Sequence, residues 1–322
     1  MLAKITLIFS LMWVAAGPAM AQAQAYPNKP VKLVVPFPPG GGTDIVGRLI
    51  AQKLSEVWRQ TVIVDNKPGA NTLIGTEFVA KAPGDGYTLL MASPSHTINP
   101  SLYKNLRFDT QKDFSGAAIV AVGPLVLAVN PSVPVKNVRE LLELAKARPG
   151  EISYASAGTG SSTHLAGELF KNLAGVNMMH VPYKGTAPAL TDLMGGQVLA
   201  TFLPLPGVVQ QIKNGKLKAL GVTGIKRFSG MPELPTIAES GLPGYEMQQW
   251  WGIVVPSGTP KDIVKKINVD VAKILDSQNL REQLAVIGAE PGHGSAEQFD
   301  ALISHEIGLW KKLIEFAKIV AD

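Results

Sequence analysis

The chain has 322 residues, with 30 lysines and arginines against 25 aspartates and glutamates, five histidines and no cysteine. Lack of cysteine excludes disulfide staples, thiolate metal sites, a cysteine nucleophile and a lipid-bearing cysteine at a cleavage point. The formal +5 charge is spread without a basic run, which makes nucleic acid and membrane surfaces poor partners, and the length suffices for two domain cores of ordinary size.

Lys4, the apolar run Ile5–Ala16 and the helix-unfriendly Gly17 and Pro18 read as a secretory signal peptide. A membrane span needs roughly 20 apolar residues, and this run is too short. Small residues before Gln22, Gln24 and Tyr26 allow cleavage there, so residues 1–25 are expected to be removed on export to the periplasm.

From Val31 the chain alternates β-branched runs with helical periodicity: strand Val31–Val35, helix from Thr43 to about Trp58, strand Thr61–Asp65, helix Leu73–Lys81, strand Tyr87–Met91. This is the rhythm of a parallel sheet covered by helices. The strands Ala117–Val122 and Leu125–Asn130 are separated only by Gly123-Pro124, where a crossing between two lobes is expected. Strands follow at Ser153–Ser156, Met178–Pro182, Gln197–Phe202 and Leu217–Thr223, with helices at Asn137–Ala147, Ser162–Ala174 and Ala187–Met194 between them. The Gly- and Pro-rich stretch from Gly224 to Gly252 is expected to carry the return crossing. After strand Gly252–Val255 the pattern is helical: Pro260–Leu275, Asn279–Ile287 and Ala296–Ala317, the last with an apolar stripe through Phe299, Ile303, Trp310 and Ile314. The expected division is residues 26–123 with 226–322 in one lobe and 124–225 in the other.

Loops after the strands carry the chemistry. Pro36-Phe37-Pro38-Pro39-Gly40-Gly41-Gly42-Thr43-Asp44 joins a strand to a helix, and its glycines free backbone amides to face an anion at a helix start. The same loop is equally consistent with a tight turn capped by Thr43 or Asp44. No lysine follows the glycines, so it is not a nucleotide phosphate loop. Ser156-Ala157-Gly158-Thr159-Gly160-Ser161-Ser162-Thr163-His164 repeats the arrangement with hydroxyls. Thr163 stands where a dinucleotide fingerprint needs its third glycine. Ser161 with His164 lacks the nucleophile elbow of a hydrolase, which leaves catalysis by this pair as a minor alternative. A third loop, Ala92-Ser93-Pro94-Ser95-His96-Thr97, follows the next strand of the same sheet. The histidines show no spacing suited to zinc, so neither metal nor cofactor is expected.

Several segments taken together resemble one family. They are Val34–Gly41, Asp65–Ala70, Pro83–Leu89, Tyr154–Gly158 with Gly160-Ser161, His164–Gly167, His180–Gly185, Gly195–Val198, Pro235–Glu239 and Pro256–Pro260. In number and order they are similar to the tripartite tricarboxylate transporter substrate-binding family, the Bug receptors, over the whole mature length. The resemblance implies an α/β, two-lobed periplasmic binding protein fold of type II-like form, each lobe a mixed sheet flanked by helices. It implies a monomeric solute receptor, not an enzyme, that grips one ligand carboxylate with backbone amides and ordered waters. Carried over by position, Phe37, Pro39, Gly40, Gly41, Thr43 and Asp44 with Ser93, Ser95 and His96 form one wall. Ala157, Gly158, Gly160, Ser161, Thr163 and His164 form the facing wall, with Tyr183, Lys184 and Phe202 nearby. Where many relatives carry an aspartate after the Thr201-Phe202 pair, this chain has Leu203-Pro204, which disfavours an amino-acid ligand. A tripartite permease and a sensor kinase are the alternative recipients of the bound ligand.

Overall fold

The computed structural model describes residues 26–317, 319 and 320; the signal-peptide reading of residues 1–25 lies outside the described residues. Strand β1 (Val31–Val35) leads into helix α1 (Gly42–Trp58), followed by β2 (Val62–Asn66), α2 (Leu73–Ala80), β3 (Thr88–Ala92) and α3 (Ser95–Leu102). β1 lies between β2 and β3 and is parallel to both, with Val31 opposite Val62 and Lys32 opposite Thr88. Such a central parallel strand is covered on both faces, hence its nearly unbroken apolar run. Alternation sends Leu33 and Val35 into one core cluster and Val34 into another. Val46, Ile50, Leu54 and Trp58 of α1 recur at helical spacing and pack into the first of these.

The two strands expected on either side of Gly123-Pro124 are one continuous strand, and it passes from one half to the other at that point. Both residues lie inside one strand, β4 (Phe114–Val129), which serves two halves of a ten-stranded sheet. Up to Pro124 it pairs with β9 (Gln248–Pro256); from Leu125 it pairs with β7 (Ala200–Pro204). Pro124 has no N–H to give to a ladder and stands where the strand changes neighbours, so it interrupts nothing.

The second half comprises α4 (Val138–Ala147), β5 (Ser153–Ser156), α5 (Ser162–Ala174), β6 (Met179–Pro182), α6 (Thr186–Met194), β7, α7 (Leu205–Lys213) and β8 (Lys218–Val222). β5 runs parallel to β6 and β7, and β8 pairs antiparallel with β4. After β9, helices α8 (Lys261–Leu275) and α9 (Gln278–Ile287) return to the first half, followed by β10 (Glu290–Pro291) and α10 (Ala296–Ala317). The result is two α/β lobes joined by β4 and β9. Helices α3 and α7 were not legible in the sequence, because each is short and proline-flanked: Pro94 and Pro100 bound or interrupt α3, and Pro204 and Pro206 open α7.

Residues 226–247 pack differently from the expected division. Phe228, Met231 and Leu234 join one core cluster of the second half, and Ile237, Leu242, Tyr245 and Met247 join the other. Backbone bonds from Val222 N to Pro235 O, Ile237 N to Val222 O and Met247 N to Thr223 O hold this segment alongside β8, so the return crossing is β9 itself. Helix α10 bridges the halves: Phe299 and Ile303 pack in the first, Trp310 and Ile314 in the core of the second.

Candidate functional site

A cleft of about 380 Å³, its mouth included, lies between the halves. It is lined by Phe37, Pro38, Gly41, Gly42 and Thr43 from the first loop, Ser93 and Ser95, then Ala157, Ser161, Ser162 and Thr163 opposite, with Thr186, Pro204 and Gln249. No lining side chain is charged. The starts of α1, α5, α6 and α7 meet here, since Gly42, Ser162 and Thr186 are first helical residues and Pro204 caps α7. The first amides of a helix have no intrahelical partner, and several such ends aimed at one space favour negative charge there.

The first wall is braced from behind. Asp44 is buried, and its carboxylate accepts from the Gly40 amide, Arg48 Nε and Asn66 Nδ2, each at 2.9 Å. Burial pushes that carboxyl up, but the Arg48, Gly40 and Asn66 hydrogen bonds outweigh it and hold the carboxyl below its ordinary value. Asp44 therefore shapes the loop without lining the cleft, and the Gly40 amide is taken up by it. Pro39 and Gly40 are exposed at the rim. Thr43 does line the cleft; its hydroxyl accepts from Trp251 Nε1 at 3.1 Å. Ser95 Oγ is buried at the floor with no hydrogen-bond partner among the described residues.

The second wall is a network closed on itself. Ser161 Oγ donates to Gly158 O at 2.6 Å and lies 2.8 Å from Thr163 Oγ1, which accepts from the Ala157 amide at 2.8 Å. The Gly160 amide donates to His164 Nδ1 at 3.0 Å. Gly158 and Gly160 have φ of +134° and +76°, values that leave glycine as the unstrained choice. His164 stacks on His180 at 3.8 Å, and its Nε2 lies 3.7 Å from Glu168. Ser161 is the N-cap of α5 and receives the His164 backbone amide. The pair is a helix cap and a loop brace, not a nucleophile with its base.

Four other expected residues are not among those that line the cleft. His96 is fully enclosed, edge-on to Phe114 with ring centroids 5.0 Å apart, and burial pushes its imidazole down to about 4. Phe202 is buried among Tyr154, Phe170 and Tyr245, because alternation along β7 turns it into the core. Tyr183 gives its hydroxyl to Asp192 at 2.7 Å, and Lys184 is exposed. Leu203 also points into a core cluster, so the apolar group at this wall is Pro204. Thr186 and Gln249 were not singled out in the sequence, whereas Pro204 was, in the apolar stretch after Thr201-Phe202; only the glycine before Thr186 hinted at a helix start there.

The walls touch around the cleft. Ser162 Oγ donates to Gln249 Oε1 at 2.9 Å, and a Cβ placed on Gly42 would lie 3.0 Å from Pro204 Cβ. This is a closed arrangement. Among the described residues there is no metal-holding cluster of three or more His, Cys, Asp or Glu, and no helix long and apolar enough to cross a membrane.

Two α/β lobes closing on a cleft ringed by helix starts and lined by no charged side chain have the form of a solute-binding receptor. Residues 46–319 match the family model described as tripartite tricarboxylate transporter family receptor. The chain is 36% identical over 298 residues to BugT of Bordetella pertussis, covering 92% of this chain and 91% of that protein. It is similar to an R. palustris protein solved with adipate, at 40% identity and TM-score 0.89, covering 92% of this chain and 100% of that one. It is also similar to MatC from Rhodopseudomonas palustris with bound malate, at 31% identity and TM-score 0.84, covering 90% of this chain and 100% of that one. The chain belongs to the tripartite tricarboxylate transporter receptor family, which is a family of solute receptors and not of catalysts.

Proposed function

We propose that this protein is a periplasmic receptor that closes its cleft on one carboxylate of a small organic acid and hands it to a tripartite permease. The observation that carries the reading is the convergence of the α1 and α5 starts on a cleft without a charged side chain. Amide dipoles there compensate an anion without the desolvation cost of burying a lysine. The adipate and malate in the similar structures agree with that chemistry. Phe37, Gly41, Thr43, Ser93, Ser95, Ala157, Ser161 and Thr163 face the ligand, while Asp44, Gly158, Gly160 and His164 hold the loops in shape. With no acidic lining side chain, an α-amino group has no counter-ion, which favours a non-amino carboxylic acid as the ligand class. We place the lobes at residues 26–123 with 248–317 and at 124–247, around β4 and β9.

A thermal-shift screen of mono- and dicarboxylates, aromatic acids and amino acids tests this: non-amino carboxylates raise the melting temperature most. A larger shift with aspartate or glutamate overturns the ligand class. N-terminal sequencing of the exported protein tests the compartment, with a start between Gln22 and Tyr26.

A further inference from the structure

We infer that an apolar groove behind the hinge sets the balance between open and closed forms, so that residues touching no ligand fix the affinity of the cleft. This rests on the receptor reading above.

The geometry follows from β9. Successive side chains of a strand point to opposite faces. Gln249 lines the cleft, where its Oε1 accepts from Ser162 Oγ, and also touches the space behind the strand, and Trp251 reaches Thr43 at the cleft wall. On the other face Trp250 donates to Glu306 Oε1 at 2.9 Å, and Gln248 with Val122 of β4 borders a groove of about 1430 Å³, its open side included. Cleft and groove therefore lie on opposite faces of the same two strands, the ones that join the lobes. A rotation about those strands that opens one narrows the other.

The groove has a wall from each lobe. Leu169 of α5 and Met247 stand on one side and Leu302 and Leu309 of α10 on the other, while Leu313, further along α10, packs with Leu169 against the second-lobe core. Glu306 accepts from Thr97 Oγ1 at 2.7 Å as well as from Trp250, which ties the α10 wall to α3 and to the hinge strand. Trp310 and Ile314, packed in the second-lobe core, mark the end of α10 at which the lobes stay in contact. In the closed arrangement Leu309 remains 49% exposed. Opening the cleft brings the Leu169 wall towards it and buries that apolar surface, which offsets the parting of the cleft walls. The groove is thus a counterweight: whatever keeps it wide favours the closed, ligand-holding form.

Leu309→Trp tests this by filling the groove, and Leu169→Trp does so from the opposite wall. Because the chain has no native cysteine, cysteines introduced at exposed Gln52 of the first lobe and Lys213 of the second can carry spin labels specifically. Pulsed electron resonance then reads the interlobe distance without ligand, and calorimetry reads binding of malate and adipate. Both variants are expected to shift the unliganded distances towards the closed distribution. Apparent affinity is the intrinsic value scaled by the closed fraction, so a closed state populated at about 10% gives a gain of up to about tenfold. Unchanged distances in either folded variant overturn the proposal. Shifted distances with no binding of either acid to any form uphold the groove and overturn the carboxylate reading instead.

Discussion

Gly160 of the second wall and Leu102 at the end of α3 meet across the interlobe boundary with no room for a methyl between them: a Cβ on Gly160 would overlap Leu102 Cδ2. Leu102 is itself packed in the core that α3 and α10 share with the second lobe. Gly160 is therefore needed twice, once for its φ of +76° and once for this approach.

Gly160→Val should leave a folded protein that cannot close. The left-handed backbone costs a β-branched residue about 1–2 kcal/mol, and the side chain holds the lobes apart. Small-angle scattering with and without the best acid from the screen is expected to show compaction in the wild type and none in the variant. A variant that binds and compacts normally would remove Gly160 from the closing contact.

Ser95→Ala separates ligand binding from stability. The Ser95 hydroxyl is buried in the cleft and satisfied by no described group, so its removal costs the unliganded fold nothing and can stabilise it slightly. Ligand affinity should fall about tenfold, the worth of one hydrogen bond of roughly 1.4 kcal/mol. Equal affinity for malate in calorimetry would place the carboxylate elsewhere.

Lys184→Met should matter little. The side chain is exposed outside the lining of the cleft, and amides supply the positive potential there. The expected loss is under about 1.4 kcal/mol, less than tenfold; a hundredfold loss would make Lys184 the counter-ion.

His96→Phe should flatten the acid limb of stability. The folded imidazole titrates near 4, below its ordinary 6.5, because burial disfavours the charged form. Above 6.5 the neutral ring is present in both states and its contribution is complete. As pH falls from 6.5 towards 4 the unfolded chain takes up the proton first, and about 3 kcal/mol is lost. Phenylalanine keeps the edge-on contact with Phe114 and cannot protonate, so the difference in melting temperature between variant and wild type should grow across that window. A constant difference from pH 7 to 4 would show that His96 is not the group responsible.

The two-lobed α/β class, the strand–loop–helix order and the two glycine-rich loops before helix starts could be read from sequence because they are local. Period-2 and period-3.6 patterning and glycines before helix starts each report a few neighbouring residues. The same locality explains the differences. Gly123-Pro124 looks like a gap between two strands until β4 is seen running through it and changing partners there, and residues 226–247 look like a connector until their bonds to β8 are known. Asp44, His96 and Phe202 lie in or near motifs expected to face a ligand, yet ion pairing, burial and strand alternation turn them inward. Thr186, Pro204 and Gln249 reach the cleft only because α6, α7 and β9 are brought to it from distant parts of the chain. Composition and periodicity determined which segments form elements and which loops offer amides. Only the packing of the lobes about β4 and β9 decided which of those groups meet in one cleft, since that depends on contacts between residues far apart in sequence, to which no local pattern is sensitive.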